Sequence, residues 1–386
     1  MKIILITGAF GFVGSNLSAY LAGKGYELWA LDVGRSSKVL KCESSKVEKG
    51  RESAYSRVFT WEQLEEIPWS EVYAVVHLAG KAHDTKKTSD PQSYFDINTG
   101  LTQKVLEVFS RKGASVFAES SALTAKTPSE QKKFILFSSV KAIADSVDGV
   151  LLEDAVPNPK TPYGQSKLAA EREVLKCESS KVLKCLKSGQ AEKCAGGGVD
   201  GGSVTTNELL PSPTLELSNF RTLELLHYAL RPCMIHGPGN KGNLNLLYNI
   251  VRKGIPWPLG AFENQRSFAS IENVCAVVDG LLSHDVVSGA YQVADDDALS
   301  TNDLIGMIAE SQGRKARIWA LPKGVIAFVA KVGDVLHLPL NSERLKKLTE
   351  SYVASNAKVK DALGWDAMPV GAKEGMLRTL QSFTGE

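Results

Sequence analysis

Two side chains near the middle of the chain, Tyr163 and Lys167, have the types and the spacing that proton transfer requires. Because side chains four positions apart lie on one face of an α-helix, both would point at the same bound molecule. The pKa of a free tyrosine is about 10, so its phenol is a poor base near neutral pH. A nearby ammonium group favours the phenolate and lowers that pKa. The pair is therefore a candidate for general acid–base chemistry.

Two hydroxyl side chains precede this pair. Ser138 and Ser139 end the apolar run 134–137, which predicts a buried central strand. Three prolines, at positions 157, 159 and 162, then mark a loop that delivers Tyr163 onto its helix. A tyrosine and a lysine at this spacing are common by chance, but their place after a strand, two serines and a proline-rich loop makes the motif specific.

The first strand of the chain is followed by a glycine-rich turn. The apolar run 3–6 predicts a parallel strand buried on both faces, and a helix is expected from Ser15. Between them, Gly8 would permit a tight turn, Gly11 a close approach of backbone N–H groups to a pyrophosphate, and Gly14 close helix packing. The helix N-terminus favours a bound anion. The turn therefore predicts a dinucleotide site.

A carboxylate at the end of the second apolar run indicates which dinucleotide binds. Asp32 follows residues 28–31, where it can accept hydrogen bonds from both hydroxyls of the adenosine ribose. Its charge would repel a 2′-phosphate, so the sequence favours NAD over NADP. Arg35 and Lys38 follow closely and could soften that preference. The alternative is that Asp32 is a solvated residue that caps a loop.

Composition excludes several classes of protein. The chain has 386 residues, 43% of them hydrophobic, and a net charge of +2. It can bury a large core as one bilobed unit or two domains, and it gives no reason to expect nucleic acid or a membrane surface as a partner. No apolar run reaches membrane-spanning length and no signal peptide precedes the first strand, so we expect a cytoplasmic protein.

The six cysteines are too few for a disulfide scaffold in a chain of this length. Cys177, Cys185 and Cys194 are clustered, but no CxxC pair or histidine accompanies them. Free thiols are expected there rather than a zinc site, and no metal is expected elsewhere.

The glycine spacing resembles that of one protein family. Thr7 followed by Gly8, Gly11 and Gly14 is similar to the short-chain dehydrogenase/reductase superfamily, specifically to its extended branch of nucleotide-sugar epimerases and dehydratases. The Leu-Gly-Trp turn at 363–365 is similar to a turn that members of this family carry near the C-terminus. The resemblance implies an α/β fold, with a Rossmann-type doubly wound parallel sheet and a smaller mixed α/β C-terminal substrate lobe.

The resemblance also implies a division into domains. Residues 1–238 would form the NAD-binding domain and residues 239–386 the substrate lobe, with 266–300 returning to the first domain. Residues 176–226 would be a flexible insertion, because their glycines and scattered charges offer little apolar face. The stretches 36–50 and 115–131 are also longer than the family pattern. An identical nonapeptide occurs at 39–47 and 174–182, for which we have no physical account.

The residues implied to contact the cofactor lie in three motifs. One is the glycine turn with Asp32, and another is the turn after the strand at 72–78, in which Gly80 replaces a family alanine. The third is the tyrosine–lysine helix, supported by an asparagine that the family carries. The implied NAD contacts are Gly8, Phe10, Gly11, Phe12, Val13, Gly14, Asp32, Leu78, Ala79, Gly80, Asn98, Tyr163 and Lys167.

The implied catalytic residues are Ser139, Tyr163 and Lys167, since the family's catalytic hydroxyl stands at the offset of Ser139. The positive nicotinamide ring, together with the Lys167 ammonium, would lower the pKa of Tyr163. Arg266 is similar to an arginine that contacts the nucleotide diphosphate; the alternative is a structural ion pair. Lys81 and His83 could face the substrate or lie in a solvated loop. The residues implied to bind substrate are Lys81, Ser139, Val140, Asn243, Leu244 and Arg266.

Two reactions remain open for a UDP-linked sugar. Family dehydratases carry Asp-Glu directly after the catalytic hydroxyl, whereas this chain has Val140 and Lys141, so water loss is not expected. The first reading is NAD-dependent epimerisation at C4 of a UDP-hexose or UDP-N-acetylhexosamine through a transient 4-keto sugar. The alternatives are an NAD(P)H-dependent 4-ketoreductase of a UDP-4-keto-6-deoxy sugar and a non-catalytic NAD-binding sensor. We expect a homodimer in each case.

Overall fold

The computed structural model describes residues 1–33, 54–82, 90–113, 131–187, 225–240, 243–336 and 341–383. Of the segments singled out above, the long stretches around 36–50 and 115–130 and most of 176–226 lie outside the described residues. So do Arg35, Lys38 and His83.

Most of the described strands belong to one large sheet. They are β1 (Lys2–Thr7), β2 (Tyr26–Asp32), β3 (Arg57–Thr60), β4 (Val72–His77), β5 (Lys133–Phe137), β6 (Val150–Leu151), β7 (Leu226–Pro232), β8 (Met234–His236), β9 (Phe268–Ser270), β10 (Gly289–Val293) and β11 (Val353–Ala354). Seven of them form one sheet in the order β10-β7-β5-β4-β1-β2-β3. All neighbours in it are parallel. This confirms the predicted fold class.

Helices cover both faces of this sheet and build the smaller lobe. They are α1 (Phe12–Leu21), α2 (Pro91–Tyr94), α3 (Leu101–Gly113), α4 (Pro162–Lys187), α5 (Asn243–Arg252), α6 (Ile271–Ser283), α7 (Thr301–Ser311), α8 (Lys323–Leu336), α9 (Ser342–Thr349), α10 (Ala357–Leu363) and α11 (Ala372–Ser382). A π-helical turn, Phe95–Gly100, joins α2 to α3. Helix α4 runs past Leu175, where the sequence predicted its end, and includes the second copy of the nonapeptide.

The apolar run of β1 is buried on both faces, as its composition predicted. Ile4 and Ile6 pack in one core with Leu17 of α1, whereas Leu5 packs in a second core with Phe109 of α3. Adjacent side chains of a strand point to opposite faces, so a strand between two helix layers needs apolar residues at every position.

The strand order reverses at β1. From β1 the chain proceeds to β2 on one side, whereas β4 lies on the other side. The carboxyl ends of β1 and β4 therefore meet with their following turns side by side, which is where open α/β sheets bind ligands. The amide of Leu78 donates to the carbonyl oxygen of Thr7 across this junction (3.2 Å).

The smaller lobe packs around β9 and α7. Its apolar core includes Tyr248, Phe268, Ile308 and Met376. Strand β10, from the second half of the chain, forms an edge of the large sheet beside β7. No helix within the described ranges is both long enough and apolar enough to cross a membrane.

A buried lysine ties β5 to the end of α6. The Lys133 side chain is fully buried, and its Nζ donates to the carbonyl oxygens of Leu281 (2.7 Å), Leu282 (3.3 Å) and His284 (2.8 Å). These carbonyls carry the negative end of the helix dipole and have no acceptor role inside the helix. Burial lowers the pKa of Lys133 to about 8.

We predict that Lys133→Met lowers the free energy of unfolding by about 1 to 2 kcal/mol, because the loss of three hydrogen bonds from a charged donor outweighs the relief of the burial cost that depresses its pKa. Urea denaturation of the purified protein measures the change. The matched control is Lys104→Met on the exposed face of α3. Equal stability of the two variants would contradict the capping role of Lys133.

Candidate active site

The start of helix α4 is fixed by an aspartate that the sequence analysis did not identify. Oδ2 of Asp145 accepts hydrogen bonds from the amides of Lys160 (2.6 Å) and Thr161 (3.1 Å), and Oδ1 accepts from the Thr161 hydroxyl (2.9 Å). The Thr161 Oγ1 in turn accepts from the amide of Gly164 (3.2 Å). Asp145 thus anchors the loop that delivers Tyr163, with Pro162 in the first turn where its missing N–H is harmless.

The proposed catalytic hydroxyls meet at the carboxyl end of β5. Ser139 hydrogen bonds with the phenol of Tyr163, and its Oγ accepts the amide of Lys141 (3.2 Å). The ring of Tyr163 lies edge-on to that of Tyr94, with 6.2 Å between centroids. Burial raises the pKa of Tyr163, and the bond with Ser139 lowers it. The hydroxyl of the neighbouring Ser138 is buried without a hydrogen-bond partner among the described residues.

The ammonium group of Lys167 is buried below this pair. Its Nζ donates to the carbonyl oxygen of Phe137 (2.8 Å). Burial lowers the pKa of Lys167 to about 8, and the charge of Glu171 opposes that shift. We expected Lys167, together with the positive ring of an oxidised nicotinamide, to lower the pKa of Tyr163. In the protein alone that pKa is raised, because the phenol loses water on burial while the ammonium is directed to Phe137.

A buried ion pair holds the same helix against β7. Glu171, four residues after Lys167, accepts Nε of Arg231 at Oε1 (3.0 Å) and Nη2 at Oε2 (2.7 Å). Both side chains are almost completely buried. A bidentate arginine–carboxylate pair fixes distance and orientation together. The helix face that carries Tyr163 and Lys167 is therefore held in one position relative to the sheet.

Close backbone packing explains two of the three glycines in the turn after β1. Gly8 has a φ of +64°, and a Cβ there would lie 2.9 Å from the amide nitrogen of Ala79. A Cβ on Gly14 would lie 2.4 Å from the carbonyl oxygen of Ala9. Gly11 is less crowded and caps α1, so Phe12 and Val13 form the first helical turn.

Asp32 reaches from β2 onto the glycine turn. Its Oδ2 accepts the amide of Phe10 (2.9 Å) and its Oδ1 the amide of Val33 (2.7 Å). Tyr55 closes the turn from another side, since its hydroxyl is within hydrogen-bond distance of the carbonyl oxygens of Ala9 (3.1 Å) and Gly14 (3.2 Å). No motif in the sequence pointed to Tyr55.

Gly80 leaves the space in which the polar groups of the site meet. A Cβ there would lie 2.8 Å from Oδ1 of Asn98 and 3.1 Å from Nζ of Lys167. Asn98, in the π-helical turn, accepts the amide of Lys81 at Oδ1 (2.7 Å) and donates to Oγ of Ser166 in α4 (2.9 Å). An alanine at this position would therefore require the side chains of Asn98 and Lys167 to shift.

The residues expected to bind substrate lie in different surroundings, some in polar contacts and others in apolar cores. Lys81 donates through Nζ to Oγ of Ser93 (2.6 Å). Val140 and Leu244 are buried in apolar cores, and Asn243 begins α5. Arg266 donates to the backbone carbonyl oxygens of residues 347 and 350 at the end of α9. Contacts with carbonyl groups, rather than an ion pair, therefore hold its guanidinium.

The donor set beside β1 and β4 fits a dinucleotide. The glycine turn begins a helix whose first amides can face a diphosphate. The Asp32 oxygens each accept one amide and keep a lone pair for a ribose hydroxyl. The buried Ser138 hydroxyl lies at the same edge and has no hydrogen-bond partner in the described part of the chain. Within the described part of the chain, no group of three or more metal-binding side chains is found.

Comparison with protein families identifies the first half of the chain. Residues 4–187 match the model of the NAD dependent epimerase/dehydratase family. The matched range includes the glycine turn, Asp32, Asn98, Tyr163 and Lys167, so the candidate catalytic and cofactor motifs lie inside it.

Two characterised proteins are similar over nearly the whole chain. The UDP-glucose 4-epimerase of Vibrio cholerae is 24% identical over 99% of this chain and 95% of its own length. The GDP-6-deoxy-D-mannose reductase of Pseudomonas aeruginosa is 22% identical over 94% of this chain and 91% of its own length. Among solved structures, the UDP-glucuronic acid 4-epimerase from Bacillus cereus in complex with NAD shares the fold, with a TM-score of 0.62 at 18% identity. That alignment covers 100% of this chain and 99% of the other.

The low pKa of Lys167 predicts that its burial destabilises the folded protein. Lys167→Met should raise the free energy of unfolding at pH 7 by about 1 to 2 kcal/mol, after allowance for the lost hydrogen bond to Phe137. Because the folded-state pKa is depressed, the native protein gains stability as the pH rises from about 8 towards the ordinary lysine value of about 10.4. The advantage of the variant should therefore shrink over that interval.

Chemical denaturation at a series of pH values measures both effects. Lys253→Met, at an exposed lysine beyond α5, is the control and should show neither. A Lys167→Met protein whose stability differs from the unmodified protein by the same amount at every pH would contradict the depressed pKa.

Proposed function

Because residues 4–187 match the model of the NAD dependent epimerase/dehydratase family, we propose that the protein catalyses epimerisation at C4 of a UDP-linked hexose or N-acetylhexosamine. The observation that carries this proposal is the meeting of Ser139, Tyr163 and Lys167 beside the glycine turn. Similarity along almost the full length to a UDP-glucose 4-epimerase supports the choice of reaction and substrate class.

The chain's own residues would hold the cofactor in two places. The amides of the glycine turn would bind the diphosphate, and Asp32 would accept the hydroxyls of the adenosine ribose. The negative charge of Asp32 disfavours a 2′-phosphate, so we assign NAD rather than NADP. Lys167, opposite Gly80, would donate to the second ribose. When bound, NAD would supply an acceptor for the hydride from the sugar C4 and, after the keto sugar has turned over, a donor for its return to the opposite face.

Tyr163 would move the proton that accompanies the hydride. Its phenolate would take the proton of the C4 hydroxyl as the keto oxygen forms and would give it back when the hydride returns. Ser139 would hydrogen bond to the same oxygen and align it. Since burial raises the pKa of Tyr163 in the protein alone, Tyr163 becomes a base only when a second positive charge joins Lys167 in the site. The oxidised nicotinamide carries that charge.

The residues after Ser139 argue against water loss. Val140 is buried and apolar. The Nζ of Lys141 donates to the carbonyl oxygen of Asp145 (2.6 Å) and lies 3.9 Å from the centre of the Tyr352 ring. Neither side chain supplies a carboxyl group beside the catalytic hydroxyl, where the family's dehydratases carry their acid and base.

A 4-ketoreductase is the second candidate. It would use Ser139, Tyr163 and Lys167 in the same roles, with NAD(P)H delivering one hydride to a keto sugar and leaving oxidised. Similarity to a GDP-6-deoxy-D-mannose reductase over 94% of the chain favours this candidate over a non-catalytic protein. A sensor would have no need for a buried ammonium group and a paired phenol.

Incubation with UDP-glucose or UDP-N-acetylglucosamine, without added cofactor, tests the proposal. An epimerase that retains NAD during purification should form the C4 epimer, because the hydride returns to the sugar and no net oxidation occurs. Chromatography of the sugar nucleotides measures the product, and a parallel reaction with added NAD covers loss of cofactor. Product only from a 4-keto sugar and reduced cofactor would assign the protein as a reductase.

Tyr163→Phe should lower turnover by about 10²–10⁴-fold, the usual contribution of general acid–base catalysis, while NAD binding is retained. The change removes the phenolic hydroxyl and keeps the packing of the ring. Tyr248→Phe, in the core of the smaller lobe, is the matched control and should keep full activity. Full activity of Tyr163→Phe would refute the role given to Tyr163.

A further inference from the structure

The smaller lobe carries an exposed apolar face at a distance in sequence from the catalytic motifs. Helix α8 buries only a narrow seam that includes Ile326 and Ala330. Val325 and Phe328, three positions apart on the same side of the helix, are 52% and 68% exposed. Trp319, in the segment leading into the helix, is 55% exposed. Large apolar side chains exposed in one cluster mark an interaction surface.

The same stretch of chain is strongly basic. Residues 311–333 contain five lysines and arginines and no acidic residue. All five are exposed: Arg314, Lys315, Arg317, Lys323 and Lys331. The net charge of the whole protein is only +2, so the basic character is local.

A basic cavity lies beside the apolar face. It has a volume of about 430 Å³, and Arg314, Lys315 and Arg317 line it together with apolar side chains that include the half-exposed Ile255. Backbone hydrogen bonds join both Arg317 and Trp319 to Trp257 (each 2.8 Å). The segment therefore runs directly from the wall of the cavity to the apolar face.

We propose that this surface, residues 314–331 with the adjoining cavity, attaches the protein to an anionic lipid membrane. The exposed tryptophan, phenylalanine and valines would enter the headgroup–acyl boundary. The basic side chains would bind lipid phosphates, and the cavity has room and charge for a headgroup. This departs from the expectation, based on net charge alone, that no membrane surface is involved.

The charge distribution favours lipid over a second copy of the chain. A twofold contact would bring the same surface of two protomers together, and with it ten cations without an acidic residue from the segment to balance them. An anionic membrane neutralises them instead. Attachment would be peripheral, and it does not depend on the reaction that the site catalyses.

Vesicle co-sedimentation tests the proposal with the full-length protein. We expect binding to vesicles of phosphatidylcholine mixed with phosphatidylglycerol, weak binding to phosphatidylcholine alone, and loss of binding at high salt. The triple variant Arg314→Gln, Lys315→Gln, Arg317→Gln should bind about 100-fold more weakly. Phe328→Ser should bind about 10-fold more weakly, because it removes one inserted side chain.

Matched variants on other surfaces control for general changes in charge and hydrophobicity. Val156→Ser alters a highly exposed valine, and Lys104→Gln with Lys373→Gln removes two exposed cations elsewhere. These should bind like the unmodified protein. Thermal unfolding and sugar-nucleotide turnover, measured on every variant, identify a folding defect separately from a binding defect.

Two results would overturn the proposal. One is that phosphatidylglycerol makes no difference, so that the protein sediments equally with both kinds of vesicle or with neither. The other is concentration-dependent self-association that Phe328→Ser abolishes, without vesicle binding, which would assign the face to a second copy of the chain.

Discussion

A positive charge buried at the carboxyl end of β5 is the constraint on which the site depends. The ammonium of Lys167 is shielded from water and donates to the carbonyl oxygen of Phe137. Burying a charge costs several kcal/mol unless neighbours compensate it. Glu171 supplies the opposing charge one helical turn away, and Arg231 pairs with Glu171 in turn. Since Phe137 and Arg231 come from neighbouring parallel strands, the catalytic helix has one place on this sheet where its charges are satisfied.

The same ammonium needs an empty space in front of it, and two glycines provide that space. Gly8 lets the turn after β1 approach the turn after β4 to within backbone contact, and Gly80 leaves out the side chain that would touch Lys167. The buried charge of Lys167 and the open space in front of it therefore lie together at β1, where the strand order reverses. The donor Lys167, the glycine turn and the acceptor Asp32 therefore surround the proposed cofactor position.

The features of the fold and site that depend on local sequence patterns were predictable. Contacts between residues distant in the sequence were not. The buried strands, the glycine turn and the helix of Tyr163 each depend on neighbouring residues, which a sequence displays directly. A side chain at position 80 would touch Asn98 and Lys167, which only the fold brings beside it. The pair of Glu171 and Arg231 joins residues sixty positions apart, and no sequence pattern marks either partner. Burial raises the pKa of Tyr163 in the protein alone, and spacing in the sequence gives proximity but neither burial nor the direction of the lysine.

The buried Lys133 has a consequence for the order in which the chain can fold. Its acceptors are carbonyl groups at the end of α6, and the same helix covers the side of the sheet that carries Ile4 and Ile6. Within residues 4–187, which match the family model, α1 covers only part of that face of the sheet. Pairings between strands so distant along the chain form slowly. During synthesis, the face that carries Ile4 and Ile6 is fully covered only after residues 271–283 have been made.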